Sequence, residues 1–116
     1  MPLIRVQLAT TLDKEQQASL MKSLSSTVAS ALGKPEGYMM VVLELGLPML
    51  MGGQGEPAAF FEVRSVGTIS GQQAARLSES VGEVLSKATG VPAARIYSNY
   101  AGVPGAMWGH DGGTFG

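Results

Sequence analysis

Cysteine is absent from this chain of 116 residues. That excludes disulfides, thiolate nucleophiles and cysteine-based metal sites, and leaves the redox compartment open. There is one histidine, His110. A multi-histidine metal site therefore cannot form, and a Ser–His–Asp triad would have to use His110 without any nucleophile elbow to accompany it. Aromatic residues are scarce, with three Phe, three Tyr and one Trp. They are too dispersed to read as stacking platforms for nucleic acid. Charge is low and mixed, net −1, and no run of Lys or Arg marks a nucleic-acid or anionic-membrane surface. The central apolar run from Tyr38 to Leu43 stops at Glu44, far short of a membrane span. The start, MPLIRVQLATT, lacks the basic-then-apolar layout of a secretory signal, so a cytoplasmic protein is expected.

What is present is a pattern used twice. Apolar residues make up 45% of the chain, enough for a core, although so small a domain gains from oligomerisation. Residues 2–8 read as a strand. Asp13 and Gln16 form a capping box, and Leu20, Leu24, Val28, Ala31 and Leu32 recur at helical spacing. Gly33 ends the helix and Pro35 prevents its resumption. Residues 38–45 form a second strand. In the second half, residues 58–67 read as a strand, and Ser70 with Gln73 makes the cap. Ala74, Leu77, Val81, Leu85 and Ala88 give the stripe, Gly90 and Pro92 the stop, and residues 95–100 a last strand. In each half the strand is expected to begin about three residues after the proline.

The expected fold is thus α/β: β-α-β units over 2–47 and 58–101 within one domain, and a tail over 102–116. Parallel pairing with right-handed crossovers makes one four-stranded sheet with both helices on one face. The strand YMMVVLEL is apolar at nearly every position, which predicts burial on both faces. No helix remains for the second face, so a partner subunit is expected to cover it. The Gly-rich tail carries no period, and its Trp108 and Phe115 suggest packing on a neighbour.

With no thiol and one imidazole, acid–base chemistry falls to carboxylates, Lys, Tyr or the chain terminus. Met1 precedes Pro2, and an initiator methionine is generally removed before a small residue. Removal would free a secondary amine at Pro2, with a pKa of roughly 8 in water. Apolar surroundings lower it, because desolvation penalises the cation. A helix of about twenty residues, roughly 30 Å long, retraces the first strand and returns Gly33 and Lys34 to the level of Pro2. Tyr38 is expected to open the adjacent strand there. Lys34 could hold a carboxylate or polarise a carbonyl.

Several segments, spread in order over the whole chain, carry a resemblance: MPLIRV, ALGKPEGYM at 31–39, GEPAAFFEVRSVG at 55–67, ARIYSNY at 94–100 and the ending WGHDGGTFG. The chain resembles macrophage migration inhibitory factor and its bacterial homologues, in the tautomerase superfamily. The resemblance implies a homotrimer with active sites between subunits, no cofactor and no metal. It implies Pro2 as catalytic base. It also implies substrate-binding roles for Lys34, Val66 and Tyr38, for Trp108 and Phe115 of the ending, and for Tyr97 and Asn99 from an adjacent subunit. The activity implied is keto–enol tautomerisation of a phenylpyruvate-type α-keto acid. A second reading is a cytokine-like protein that engages a receptor with weak or no catalysis and leaves cells without a signal peptide. Other reactions of the superfamily, dehalogenation and decarboxylation, call on extra arginines. Arg5, Arg64, Arg76 and Arg95 are available, but none is placed by spacing. The chain departs from the resemblance at the cytokine's Cys-x-x-Cys, where Ala58 and Phe61 stand, and at its ending, where His110 reads as a rim residue.

Overall fold

The computed structural model describes all 116 residues. β1 (Pro2–Leu8), α1 (Lys14–Leu32) and β2 (Met40–Glu44) are followed in the same order by β3 (Ala59–Val66), α2 (Gly71–Thr89) and β4 (Ile96–Val103). Within each set the strands pair in parallel, and β1 pairs with β3 antiparallel. The sheet order is β2-β1-β3-β4, so the two β-α-β units meet along their first strands.

Local chemistry sets the helix limits. The Asp13 carboxylate accepts from the Gln16 N–H at 2.8 Å, and the Gln16 side chain accepts from the Asp13 N–H at 3.0 Å. Ser70 and Gln73 repeat this reciprocal cap. Gly33 (φ 64°) and Gly90 (φ 76°) end the helices in the left-handed region, where a residue without Cβ is unstrained.

The two central strands alternate. Ile4, Val6 and Leu8 of β1 and Phe61 and Val63 of β3 face the helices and pack with Leu24, Val28, Leu77, Val81 and Leu85, all buried. The opposite parity faces away from both helices. There, register aligns Val42, Arg5, Glu62 and Asn99 in one row and Glu44, Gln7, Phe60 and Tyr97 in the next. Arg5 bonds Glu62 at 2.9 Å and approaches Glu44 at 3.7 Å.

β2 lies at one edge of the sheet, and in the single chain its open-face Met40 is 61% exposed, on the side a partner subunit is expected to cover. Two expected strand limits need correction. Tyr38 does not open β2. Pro35 leads into a 3-10 turn, Glu36–Tyr38, which delays the strand to Met40. Pro92 and the turn Ala93–Arg95 do the same before β4, which then runs on to Val103 because β3 offers partners up to Val66. The tail has local structure of its own. It forms a 3-10 turn, Gly105–Met107, then a hairpin of β5 (Gly109–His110) and β6 (Gly113–Thr114). The Phe115 N–H donates to the Gly105 and Trp108 carbonyls. The hairpin turns on Asp111-Gly112, both at positive φ, a turn chemistry with no hydrophobic period.

Gly102 is fixed by close approach. A Cβ there would overlap the Gly67 carbonyl oxygen and lie 2.9 Å from Thr68 Cα. The Gly67 N–H donates to Val103 at 2.9 Å, so the β3–β4 junction cannot open without losing that bond. Gly102→Ala is expected to lose about 1–3 kcal/mol in chemical denaturation. Gly82→Ala, with open space around its Cβ on α2, is expected to gain about 0.5–1 kcal/mol.

Candidate active site

Three elements converge where β1 begins. α1 runs back along its strand, and the left-handed turn at Gly33 releases Lys34 beside the sheet. Lys34 Nζ donates to the Val66 carbonyl at 3.2 Å. The Val66 N–H donates to the Met1 carbonyl, also at 3.2 Å. Val66 therefore ties the lysine to the chain start, at the far end of a strand antiparallel to β1.

The electrostatics of this corner are distinctive. The Met1 amine is held below its ordinary value of 8.0, first by burial and then by the Lys34 charge. Both causes act in one sense, because desolvation and a neighbouring cation each disfavour an ammonium. Pro2 lies one residue further in and is fully buried. With Met1 attached, its nitrogen is an amide.

A cleft of about 400 Å³ opens beside Pro2, walled by Leu3, Tyr38, Met40, Trp108 and His110. Tyr38 meets His110 edge-on at 6.4 Å, and His110 stacks on Phe115 at 5.4 Å. The structure thus brings Lys34, Val66, Tyr38 and Trp108 to Pro2, and Phe115 reaches the group through His110. Tyr97 and Asn99 are elsewhere in the chain. Tyr97 is level with Gln7 and Asn99 with Arg5, on the strand two places from β1. These offsets are roughly 17 Å and 10 Å along the sheet from Pro2. Tyr97 is 67% exposed on the open face.

Volume alone would select a different place. A groove of about 530 Å³ runs between α1 and α2, lined by Ser26, Ser30, Arg76, Ser80 and Lys87 among others. It holds neither the perturbed amine nor an apolar wall. No group of three His, Cys, Asp or Glu side chains gathers in a metal-ligating arrangement, and no helix is long and apolar enough to cross a membrane.

Three of the four arginines sit elsewhere, and Arg64 stands across from Leu3 on β3. The Arg95 guanidinium donates to the Pro57, Met51, Gln54 and Glu56 carbonyls and so fastens the loop before β3. Arg5 is paired with carboxylates. Arg76 lies in the helix groove. His110, expected as a surface or rim residue, is exposed and lines the cleft, carried there by the Asp-Gly hairpin.

The whole chain, residues 1–116, matches the family model described as macrophage migration inhibitory factor. A macrophage migration inhibitory factor homologue from Trichuris trichiura is 34% identical over 95 residues, 82% of this chain and 83% of that protein. Among solved structures, the homologue from Prochlorococcus marinus superposes with a TM-score of 0.92 at 39% identity, covering 98% of this chain and 99% of that one. The macrophage migration inhibitory factor of Toxoplasma gondii gives a TM-score of 0.93 at 29% identity over 97% and 99% of the two chains. Sequence match, topology and the geometry at the chain start agree: this chain belongs to the macrophage migration inhibitory factor family.

Proposed function

We propose that this chain is a keto–enol tautomerase for phenylpyruvate-type α-keto acids, with the amine of Pro2, freed by loss of Met1, as its general base. The observation that carries the reading is the environment of the chain start. Burial and Lys34 already depress the Met1 amine, and Pro2 sits deeper. The same two causes would favour the neutral form of a secondary amine there, and the neutral form is what a general base requires. In ketonisation it takes the enol hydroxyl proton, and the resulting ammonium delivers a proton to the carbon beside the ketone. Lys34 holds the substrate carboxylate and favours the neutral amine. The aromatic ring occupies the cleft beside Tyr38 and Trp108.

We read the assembly as a homotrimer in which Tyr97 and Asn99 of an adjacent copy complete each crevice. Two features support this. The open sheet face has no helix to cover it, and the distance of Tyr97 and Asn99 from Pro2 leaves the cleft of a single chain without them. The experiment is direct: intact mass to establish that Met1 is gone, mass in solution to count subunits, then decay of the phenylpyruvate enol absorbance with the purified protein. A processed, trimeric protein that leaves the enol decay at its buffer rate overturns the proposal.

The pH dependence has a definite sign. A base works when deprotonated, so kcat/KM rises with pH, and its rising limb lies below that of an ordinary α-amine near 8. Lys34→Ala is expected to lower kcat/KM by about tenfold to a hundredfold, the worth of a charge-assisted hydrogen bond. It also removes a cation that depresses the amine, so the rising limb moves to higher pH. Lys34→Arg keeps the limb in place. An unmoved limb in the alanine variant would show that Lys34 does not act on the base.

A further inference from the structure

We propose that Met40 is a reversible oxidation site through which a peroxide shuts the cleft to its aromatic ligand, a regulation that rests on the tautomerase reading of the same cleft. Sulfur in this chain is all thioether: seven methionines and no cysteine. No thiol is present to intercept an oxidant first, so reaction falls to whichever methionine it can touch. Two are exposed. Met107 is 75% exposed and Met40 61%, whereas Met1, Met21, Met39, Met49 and Met51 are half-buried. The two exposed sulfurs differ in setting. Met107 closes the 3-10 turn Gly105–Met107 and lies outside the cleft wall. Met40 is the first residue of β2, level with Leu3 of β1, and walls the cleft with Leu3, Tyr38 and Trp108. A neighbouring copy on the open face does not seal it off. The cleft has to admit an aromatic acid, and hydrogen peroxide is far smaller, so it reaches the sulfur by the route that substrate takes.

The chemistry needs only the peroxide. A lone pair of Met40 Sδ attacks one peroxide oxygen and the O–O bond breaks. The other oxygen leaves as water, carrying the proton of the one that stayed. Sulfur is oxidised by two electrons and the peroxide is reduced. The product is a sulfoxide, a polar group where an apolar side chain stood. An aromatic ring laid against it covers that dipole without offering a hydrogen bond, so binding weakens. Lys34 and Pro2 are untouched, so the loss falls on KM rather than on kcat. Sulfoxide reductases, one for each sulfur epimer, return the thioether and make the change reversible.

The test treats processed protein with dilute hydrogen peroxide and follows each methionine by peptide mass spectrometry alongside the KM for phenylpyruvate. Met40 and Met107 should gain oxygen ahead of the other methionines. KM should rise about tenfold in step with Met40 sulfoxide, the effect of one unpaired polar group against a ring, and reductase treatment should restore it. Measured against its own untreated activity, Met40→Leu should lose nothing to peroxide, while Met107→Leu should lose as much as the wild type. Met40→Gln, a polar side chain of similar length, should show a raised KM without any oxidant. If Met40→Leu loses as much as the wild type, or if Met40 oxidises no faster than the half-buried methionines, the inference is overturned.

Binding supplies a readout independent of turnover. Trp108 is the chain's one tryptophan and lines the cleft, so its fluorescence reports occupancy by phenylacetate. Phenylacetate at about ten times its dissociation constant should slow oxidation of Met40 about tenfold and leave Met107 at its free rate. If the wild type turns over no keto acid, yet phenylacetate shields Met40 and the sulfoxide weakens phenylacetate binding, the tautomerase reading fails while the role of Met40 stands. If the wild type turns over phenylpyruvate and Met40 sulfoxide alters neither KM nor phenylacetate binding, the reverse holds.

Discussion

Replacing Pro2 with glycine is expected to lower kcat/KM for phenylpyruvate ketonisation by about 10²- to 10⁴-fold, the contribution of a positioned general base. Glycine retains a terminal amine, so the loss measures placement and basicity rather than the mere presence of nitrogen. The pyrrolidine ring is fully buried in the first position of β1. It fixes the nitrogen's direction and keeps water away from it. A glycine amine is primary, turns freely and is rehydrated, which returns its pKa toward the ordinary value and protonates more of it at neutrality. The variant should keep its subunit number and its circular dichroism, because β1 retains Ile4, Val6 and Leu8 in the core. A second arm is sharper. A chain with Met1 retained should be inactive while folding identically, since an amide nitrogen has no basic lone pair. Wild-type turnover in either form would remove Pro2 from the mechanism.

Phe61→Ala is expected to cost about 3–5 kcal/mol, the range for truncating a fully enclosed aromatic ring. Phe61 is 1% exposed on β3, between β1 and β4. Its ring meets Tyr100 of β4 in a T-shaped contact at 6.2 Å. The Tyr100 hydroxyl lies 2.6 Å from Ser78 Oγ and 3.0 Å from Ser98 Oγ, so the tyrosine links β4 to α2. Removing Phe61 leaves a cavity and loosens the strand that carries Tyr97 and Asn99. The denaturation midpoint should fall with little change in slope. Protomer concentration must be held constant, because association adds to apparent stability. Phe61→Leu should cost far less, as volume is largely kept. A loss below about 1 kcal/mol for alanine would contradict a core built around this ring.

Much of the fold was legible because its signals are local. Asp13 with Gln16 and Ser70 with Gln73 cap helices through neighbours three residues away, and Gly33 and Gly90 end them by backbone freedom alone. The corner at the chain start was legible for a related reason. A helix of known rise must return to where its strand began, so Lys34 had to approach Pro2. Apolar content did not say whether β2 lies at the sheet's centre or edge, because hydrophobicity reports only what a strand avoids. It was silent for the tail, where Asp111-Gly112 turn chemistry and the Phe115 backbone bonds replace any period.

The sequence by itself determined the two β-α-β units, their caps and stops, and the apolar setting of the chain start, since each depends on residues close together along the chain. Tertiary structure decided the order β2-β1-β3-β4, which places β1 and β3 side by side and sends Tyr97 and Asn99 to the open face far from Pro2. It also decided that the hairpin folds back to set Trp108 and His110 beside Pro2. These are contacts between segments distant along the chain, such as Leu3 with Met40, Pro2 with Ser65 and Pro2 with Trp108, and no local propensity encodes them. They exist only once the sheet has fixed where each strand end lies.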